Sequence, residues 1–346
     1  MLRKVSIIIV ILLFFFFSNS CGTQPEQEIK TQNDLHNDKI ITYTTNDGLT
    51  DNFISALYVE NIREREIIWI GTWKGLVKFD DERWVNYTTK DGLAQDHVTD
   101  IKIDKENKLW VSSISLKQEG GISVYEGLKW NSFTKINDED ENIGNIICMF
   151  VDSSNRLWAG SWGNGIIMFD GTEWHNFKTE NGIIANEIMD INEFDGKVWF
   201  ATKFDGAFYA DESGDNIKWI VVNEHSSKLI NNSICTFSSD SDEIWIGTWG
   251  GVSVFDGETW RNYTSWGNRL ADNFVRTMLI DGKKVYFGTD KGLTVLNDKT
   301  NNPNEQSNWV TYTTLDGFPS NKILSLAATS RYIWVGTDKG LVKISK

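Results

Sequence analysis

Cysteine is scarce in this sequence. Three cysteines occur among 346 residues, and one of them, Cys21, directly follows an N-terminal apolar segment. The other two, Cys148 and Cys235, lie in the similar segments NIICMF and NSICTF, which we place at the same position of two repeats that are two repeats apart. Since the Cα atoms of a disulfide lie within about 7 Å of each other, we expect no bridge between them. Both are predicted to be free, largely buried thiols.

Positive charge is also in short supply. The chain carries 34 lysines and arginines against 48 aspartates and glutamates, which gives a net charge of −14. Residues 1–20 contain two of the positive charges, so the chain without them carries −16. No basic patch offsets this acidity. Nucleic acid is therefore not an expected partner, and direct docking on anionic lipid headgroups is disfavoured.

Catalytic motifs and histidine clusters are missing too. The four histidines are His36, His97, His175 and His225, and their spacing matches no metal site. The sequence contains no nucleophile elbow and no phosphate-binding glycine loop. We therefore predict no catalytic residues, no metal and no cofactor.

The N-terminus has the features of an export signal. Two basic residues precede an apolar run over 5–17, which is short for a membrane span. The run resembles a bacterial lipoprotein signal that ends in a lipidated Cys21, although Ser18 stands where an apolar residue is usual. A signal anchor or an ordinary secretory peptide is the alternative. We predict a signal peptide over 1–20 and a polar tether over 21–38. The protein would then be lipid-anchored in a bacterial envelope, at the outer membrane on its periplasmic or surface side, with membrane contact through the lipid alone.

One short pattern recurs seven times after residue 38. It consists of an apolar residue, an aromatic and another apolar residue, usually followed by Gly-Thr and Gly-Leu. The anchor aromatics lie 41 to 48 residues apart and are Trp69, Trp110, Trp158, Trp199, Trp245, Tyr286 and Trp334. A period of this length built from short strands indicates a propeller with one four-stranded blade per repeat. The prediction is an all-β, seven-bladed β-propeller, a single domain over 39–346.

The strands of each blade can be read from the first repeat. They are FISALYVE (53–60), IIWIGTW (67–73), GLVKFDD (75–81) and RWVNYTT (83–89). Twelve of the sixteen tryptophans anchor a second strand or open a fourth strand, so we interpret them as core residues between blades. The predicted blades span about 53–89, 97–135, 145–179, 187–223, 233–265, 274–314 and 322–346 plus 39–45.

The last blade lacks its own fourth strand. The sequence stops at GLVKISK (340–346), which corresponds to a third strand, whereas KIITYTTNDGL (39–49) matches the fourth-strand segments WVNYTTKDGL and WVTYTTLDGF, with Ile40 in the place of tryptophan. We therefore predict that the N-terminal strand completes the seventh blade and closes the ring.

With the repeats aligned, the chain resembles the two-component-regulator propeller repeat. That pattern appears here as HVTDIKID (97–104), NKLWVSS (107–113) and GLVKFDDERWVNYTTKDGL (75–93), and the resemblance covers 39–346. The resemblance implies a periplasmic ligand sensor, often one for glycans. Such regulators usually continue into an immunoglobulin-like domain, a membrane helix and a histidine kinase. Because this chain ends at residue 346, the expectation is ligand binding without a kinase of its own.

Two sets of residues are candidates for the ligand-binding face. One occupies the Thr-x-x-Gly link between second and third strands and comprises Trp73, Trp162, Phe204, Trp249, Asp290, Lys291, Asp338 and Lys339. Sugars suit such a surface, because their C–H faces stack on aromatic rings while their hydroxyls bond to polar groups. The alternative is that each aromatic only covers its own turn.

The second set precedes the first strands. Six of the seven repeats place asparagine or aspartate there, namely Asn52, Asp96, Asn186, Asn232, Asn273 and Asn321, and we interpret these as turn caps. The following position varies between blades, as a binding surface would. The candidates there are His97, Glu187 and Lys322.

These observations predict a non-catalytic ligand-binding or sensor propeller of the envelope, with a glycan as the expected ligand and a link to two-component-type signalling. A protein-interaction scaffold in an envelope complex is the alternative. A lyase that acts on polysaccharides or lactones, with His97 and Glu187 as acid and base, is the least favoured reading.

Overall fold

The computed structural model describes residues 40–62, 65–80, 83–117, 119–136, 141–211, 218–266, 269–301 and 305–346. The predicted signal peptide, the tether and Cys21 lie outside these residues. Within them, 28 strands form seven four-stranded antiparallel sheets, so the predicted all-β, seven-bladed propeller is confirmed. Three short 3₁₀ segments interrupt the loops at Thr179–Asn181, Gln306–Asn308 and Thr314–Asp316.

The four strands of each blade follow one another from the centre of the ring outwards. The first strands are β2 (Ile54–Ile62), β6 (His97–Ile103), β10 (Ile146–Val151), β14 (Ile188–Phe194), β18 (Ile234–Ser239), β22 (Val275–Asp281) and β26 (Ile323–Ala328). The second strands are β3 (Arg65–Thr72), β7 (Leu109–Ile114), β11 (Leu157–Ser161), β15 (Lys197–Thr202), β19 (Ile244–Thr248), β23 (Lys284–Thr289) and β27 (Tyr332–Thr337).

The outer two strands of each blade have at most five residues. The third strands are β4 (Gly75–Phe79), β8 (Gly121–Tyr125), β12 (Ile166–Phe169), β16 (Ala207–Asp211), β20 (Gly251–Phe255), β24 (Leu293–Leu296) and β28 (Leu341–Ser345). The fourth strands are β5 (Trp84–Tyr87), β9 (Trp130–Phe133), β13 (Trp174–Phe177), β17 (Lys218–Val222), β21 (Trp260–Tyr263), β25 (Trp309–Tyr312) and, for blade seven, β1 (Ile40–Tyr43).

The glycine of the Gly-Thr pair explains how closely the blades pack. Second strands are buried on both faces because each blade lies between two others. A Cβ on Gly71 would lie 2.7 Å from Cγ1 of Val98, which belongs to the first strand of the next blade. Since real Cβ atoms do not approach that closely, glycine at this position sets the distance between blades.

The ring closes as predicted. Strand β1 pairs antiparallel with β28, and the register runs from Ile40 opposite Ile344 to Tyr43 opposite Leu341. The Tyr43 ring then lies 5.9 Å from Trp334 of its own blade and 5.5 Å from Trp84 of blade one. The two chain ends therefore form one sheet, and this sheet packs on blade one as the other sheets pack on their neighbours.

The tryptophan prediction is confirmed for the second strands and only in part for the fourth strands. The six second-strand tryptophans are buried, as are Trp130, Trp174 and Trp309. The other three fourth-strand tryptophans, Trp84, Trp219 and Trp260, are half-buried. The fourth strand is the outermost of its blade, so part of its side-chain surface faces solvent.

The cysteine prediction needs one correction. Cys148 and Cys235 are free, as expected; Cys148 is buried and Cys235 is half-buried. They do not, however, occupy the same position. Cys148 lies opposite Gly160, while Thr236, not Cys235, lies opposite the matching Gly247. Cys235 instead lies at the irregular step between Ile234 and Thr236.

Among the described residues no helix is long and apolar enough to cross a membrane.

Candidate functional site on the top face

We define the top face as the end of the ring that carries the turns between second and third strands and the loops entering the first strands. Each turn is held by the hydroxyl that ends the second strand. The Thr72 hydroxyl donates to the carbonyl of Gly75 at 2.9 Å and accepts the amide of Lys74 at 3.0 Å. Equivalent pairs occur at Ser161, Thr202, Thr248, Thr289 and Thr337. The turn is therefore fixed by the hydroxyl and by backbone groups, without help from the side chains at its tip.

The tip residues of three turns are exposed aromatics. Trp73 is 38%, Phe204 53% and Trp249 45% exposed, which is unusual for large rings in a well-packed domain. Because the turn does not need them, their exposed area is available to a ligand.

The asparagines and aspartate before the first strands are turn caps, as interpreted from the sequence. The Asn52 side-chain oxygen accepts the amide of Thr45 at 2.8 Å, and Asp96 accepts that of Thr89 at 2.7 Å. The same bond is made by Asn186, Asn232, Asn273 and Asn321. These residues anchor the loops that enter the first strands.

A first aromatic group lies at blades one and two. The Trp73 ring is 4.2 Å from Phe53 and 4.8 Å from His97, so it lies between the two rings. Burial lowers the pKa of His97 from 6.5 to about 4, although the nearby Asp51 carboxylate opposes this shift. His97 is therefore a neutral ring at neutral pH. Beside it, Lys74 and Asp51 form an ion pair at 2.9 Å.

A second group spans blades three and four. Trp162 and Glu187 form an isolated backbone bridge, which fixes the turn of blade three to the entry of blade four. The Lys203 ammonium lies 4.3 Å from the Trp162 ring, 5.0 Å from the Phe204 ring and 3.7 Å from the Glu187 carboxylate. The Lys203 side chain is only 13% exposed, so the cation is held between two rings and one acid.

A third group continues around blades four to six. Trp249 is 6.0 Å from Phe204 and 5.6 Å from Phe274, edge to face in both cases. The Arg276 guanidinium lies 4.3 Å from the Phe274 ring and forms a two-pronged bond to Asp290, at 2.5 and 2.8 Å. Together, Trp162, Lys203, Phe204, Trp249, Phe274 and Arg276 make a continuous series of contacts that we call the top-face arc.

The remaining candidates are not part of the arc. Lys291 is exposed and pairs with Asp272 at 3.2 Å, which repeats the pairing of Lys74 with Asp51. In blade seven, Lys339 is exposed and Asp338 is half-buried; one carboxylate oxygen of Asp338, Oδ1, is buried without a hydrogen-bond partner among the described residues. Lys322 is half-buried at the entry to blade seven.

Sequence reasoning did not select several residues that complete the site. Lys203 and Arg276 are the cations that contact the aromatic rings. Phe53 and Phe274 are aromatic residues at the variable position that directly follows a turn cap. Arg276 could have been found, because a charged residue on an apolar first strand needs a partner. The contact of Lys203 with the turn of the preceding blade has no comparable sequence signal.

The centre of the ring also holds charged groups. The Asp100 carboxylate accepts the amides of Ile101 and of Met149 in the next blade, and Asp190 does the same with Ile191 and Phe237. These bonds satisfy amides on the innermost strand edges. Burial raises the pKa of Asp190 to about 6. The Lys102 ammonium lies 2.6 Å from a carboxylate oxygen of Asp100.

The described residues include no group of three or more acidic, histidine or cysteine side chains that could hold a metal ion.

His97 and Glu187, the acid–base pair considered for a lyase, belong to different groups. His97 contacts Trp73, and Glu187 contacts Lys203. In the part of the chain that the structure describes, no hydrogen bond or ion pair joins the two side chains. The local geometry therefore gives them no shared catalytic arrangement.

Comparison with solved structures finds the same fold in several proteins. The extracellular domain of a protein assigned as a hybrid two-component system of B. thetaiotaomicron is 18% identical, with a TM-score of 0.72, and the match covers 88% of this chain and 40% of that one. PorZ, a surface component of the type-IX secretion system of Porphyromonas gingivalis, is 17% identical, with a TM-score of 0.67 and coverage of 86% and 47%. Virginiamycin B lyase from Staphylococcus aureus is 12% identical, with a TM-score of 0.66 and coverage of 89% and 99%.

These likenesses show the fold and not the activity. The chain spans about 40% of the length of the first of these structures. No family model matches the sequence. No curated protein matches it either.

Proposed function

We propose that this protein is a non-catalytic ligand-binding propeller of the bacterial cell envelope, of the two-component-regulator propeller repeat type, and that it recognises a glycan with the top-face arc. The observation that carries this proposal is the unbroken run of contacts from Trp162 to Arg276, with rings that stay exposed although the turns do not need them. The arrangement offers stacking surfaces next to charged hydrogen-bonding groups, as sugar rings require.

Location and signalling are further parts of the proposal. The likeness to the extracellular domain of a two-component-type protein supports a place outside the cytoplasm, and Cys21 would supply the lipid anchor. We propose that ligand binding by this propeller is linked to two-component-type signalling.

A thermal-shift screen against oligosaccharides tests the proposal. A saccharide present at a hundred times its dissociation constant stabilises the folded state by about 2.7 kcal/mol, which raises the melting temperature measurably. The double variant Phe204→Ala/Trp249→Ala should keep the wild-type melting temperature within about 2 °C, since both rings are exposed, and should lose the saccharide response. Leu128→Ala is the matched control, because Leu128 is 97% exposed in a hairpin between a third and a fourth strand, away from the turns of the top face. It should keep the response.

A protein-interaction scaffold is the second candidate. The structural likeness to PorZ, a surface component of a secretion system, favours it. Two results together would favour it. The screen would show no saccharide response, and an envelope protein would cross-link to the wild type but not to the Phe204→Ala/Trp249→Ala variant. The ligand of the top face would then be a protein and not a glycan. The likeness to a lyase supports enzyme activity less, because no hydrogen bond or ion pair among the described residues joins His97 and Glu187.

A further inference from the structure

The outer side of the propeller contains a regular series of bridging rings. At the end of a fourth strand, Tyr87, Phe133, Phe177, Tyr263 and Tyr43 each lie between the second-strand tryptophan of their own blade and the fourth-strand tryptophan of the next blade. All ten centroid distances fall between 5.5 and 6.2 Å. Five blade interfaces are thus sealed by one aromatic ring at the same place.

Blade four departs from this series. The equivalent position is Val222, which lies opposite Ala207 as Tyr87 lies opposite Leu76 in blade one. A valine is too small to span the distance between Trp199 and Trp260. A crevice of about 270 Å³ opens there, and its walls include Trp199, Tyr209, Val222, Phe255 and Trp260.

Trp199, which lines this crevice, and Trp334 of blade seven are the two second-strand tryptophans whose indole N–H has no hydrogen-bond partner among the described residues. In four blades the second-strand tryptophan donates its indole N–H to a carboxylate, from Glu60, Asp104, Asp152 or Glu243. In blade four, Phe194 occupies the position that corresponds to Glu60, Asp104 and Asp152. The Trp199 indole N–H has no hydrogen-bond partner among the described residues, although Trp199 is only 3% exposed. A buried donor without an acceptor costs about 1–3 kcal/mol.

The seventh blade shows what a missing ring does elsewhere. Ile40 replaces the fourth-strand tryptophan there, and a smaller crevice of about 50 Å³ lies between blades six and seven, with Tyr286 and Tyr312 in its walls. Both interfaces at which one ring of the series is missing therefore contain a crevice. The crevice at blade four is much larger, and it is lined by Trp199, whose indole N–H is unpaired among the described residues.

We propose that the crevice between blades four and five is a second ligand site, which takes a small molecule with one aromatic ring and a hydrogen-bond acceptor, such as a phenol. The ring takes the place that a tyrosine or phenylalanine side chain fills in five other interfaces, and the acceptor meets the Trp199 indole N–H. An apolar cavity of about 150 Å³ is enough to hold benzene, so the crevice has room for a single substituted ring. The site lies on the outer side of the ring and does not depend on the top-face arc.

Indole N–H signals of the ¹⁵N-labelled protein test this site, with p-cresol and toluene as probes. The signal that disappears in Trp199→Phe identifies the Trp199 indole. It should move downfield when p-cresol is added. Toluene, which has the same ring and no oxygen acceptor, should bind at least about tenfold more weakly and should not produce the downfield shift.

A filled-crevice variant and a matched control complete the test. Val222→Phe should restore the bridging ring, raise the melting temperature of the free protein and weaken p-cresol binding by tenfold or more. Val85→Phe makes the same replacement on the exposed outer strand of blade one and should leave the p-cresol response intact. The proposal is overturned if the Trp199 signal does not move, if only other indole signals move, or if Val222→Phe binds p-cresol as the wild type does.

Discussion

At the scale of single residues, His97 illustrates how packing sets chemistry on the top face. Its ring lies against Trp73, and burial lowers its pKa to about 4. The neutral imidazole acts as a flat, weakly polar ring beside the indole. The cationic groups of the face come from lysine and arginine, as at Lys203 and Arg276.

The shifted pKa of His97 predicts a pH dependence. Between about pH 6.5 and pH 4 the unfolded chain binds a proton at this residue and the folded chain does not, so the contribution of His97 to the free energy of unfolding falls as the pH drops through this range. Asp190 acts in the opposite sense, because its folded-state pKa of about 6 lies above the ordinary value of 3.8. His97→Gln should therefore lose less stability than the wild type between pH 6.5 and pH 4.5 in urea unfolding experiments.

Proton NMR gives a direct check of the same residue. The His97 ring signal, assigned by its absence in His97→Gln, should titrate with a midpoint near pH 4. A midpoint near 6.5 would mean that the ring is freely hydrated and does not pack on Trp73.

The hydroxyls that hold the turns allow a second prediction at this scale. The Thr248 hydroxyl is fully buried, donates to Gly251 at 2.8 Å and accepts from Gly250 at 3.0 Å. Thr248→Val keeps the shape of the side chain and leaves a carbonyl and an amide without their partner, so we expect a loss of about 1–3 kcal/mol of unfolding free energy in urea. Thr89→Val is the control, because Thr89 is exposed and its hydroxyl makes no hydrogen bond among the described residues; an equal loss in both variants would contradict this role.

At the scale of strands, the closure of the ring was readable from the repeat. Residues 39–49 carry the fourth-strand pattern that the C-terminus lacks, and β1 indeed pairs with β28. The cap residues were predictable for the same reason, since they recur at one position. The links across blades were not, because a repeat alignment does not tell which neighbouring blade a long side chain such as Lys203 contacts. Val222 is visible as a departure in the sequence, but the volume that it leaves depends on how Trp199 and Trp260 are held apart.

Removal of the closing strand should open the ring. Deletion of residues 39–45 exposes the edge of β28 and removes the contacts of Tyr43 with Trp84 and Trp334, so we expect the melting temperature to fall by more than about 10 °C or the cooperative transition to be lost. A circular permutant that starts at residue 46 and carries residues 39–45 after Lys346, joined by a short turn, should recover most of the lost stability. An unchanged melting temperature in the deletion would contradict the role of β1.

At the scale of the whole molecule, seven similar blades form a ring whose top face is unequal. Blades three to six supply the top-face arc, blades one and two a smaller aromatic group, and blade seven an aspartate and exposed lysine without exposed rings. The fold follows from what the repeats share, and the proposed binding function follows from where they differ. A recognition surface on one side of the ring is therefore expected to bind one ligand, not seven equivalent ones.

Hydrogen exchange measured with and without a saccharide from the thermal-shift screen tests this account most directly. Amides in the turns at 161–165, 202–206 and 248–251 should exchange more slowly in the bound protein, because the ligand covers the top-face arc and suppresses local opening there. The turn of blade one at 72–75 should change less. Protection confined to the hairpins between third and fourth strands, or no protection despite a higher melting temperature, would contradict binding at the top-face arc.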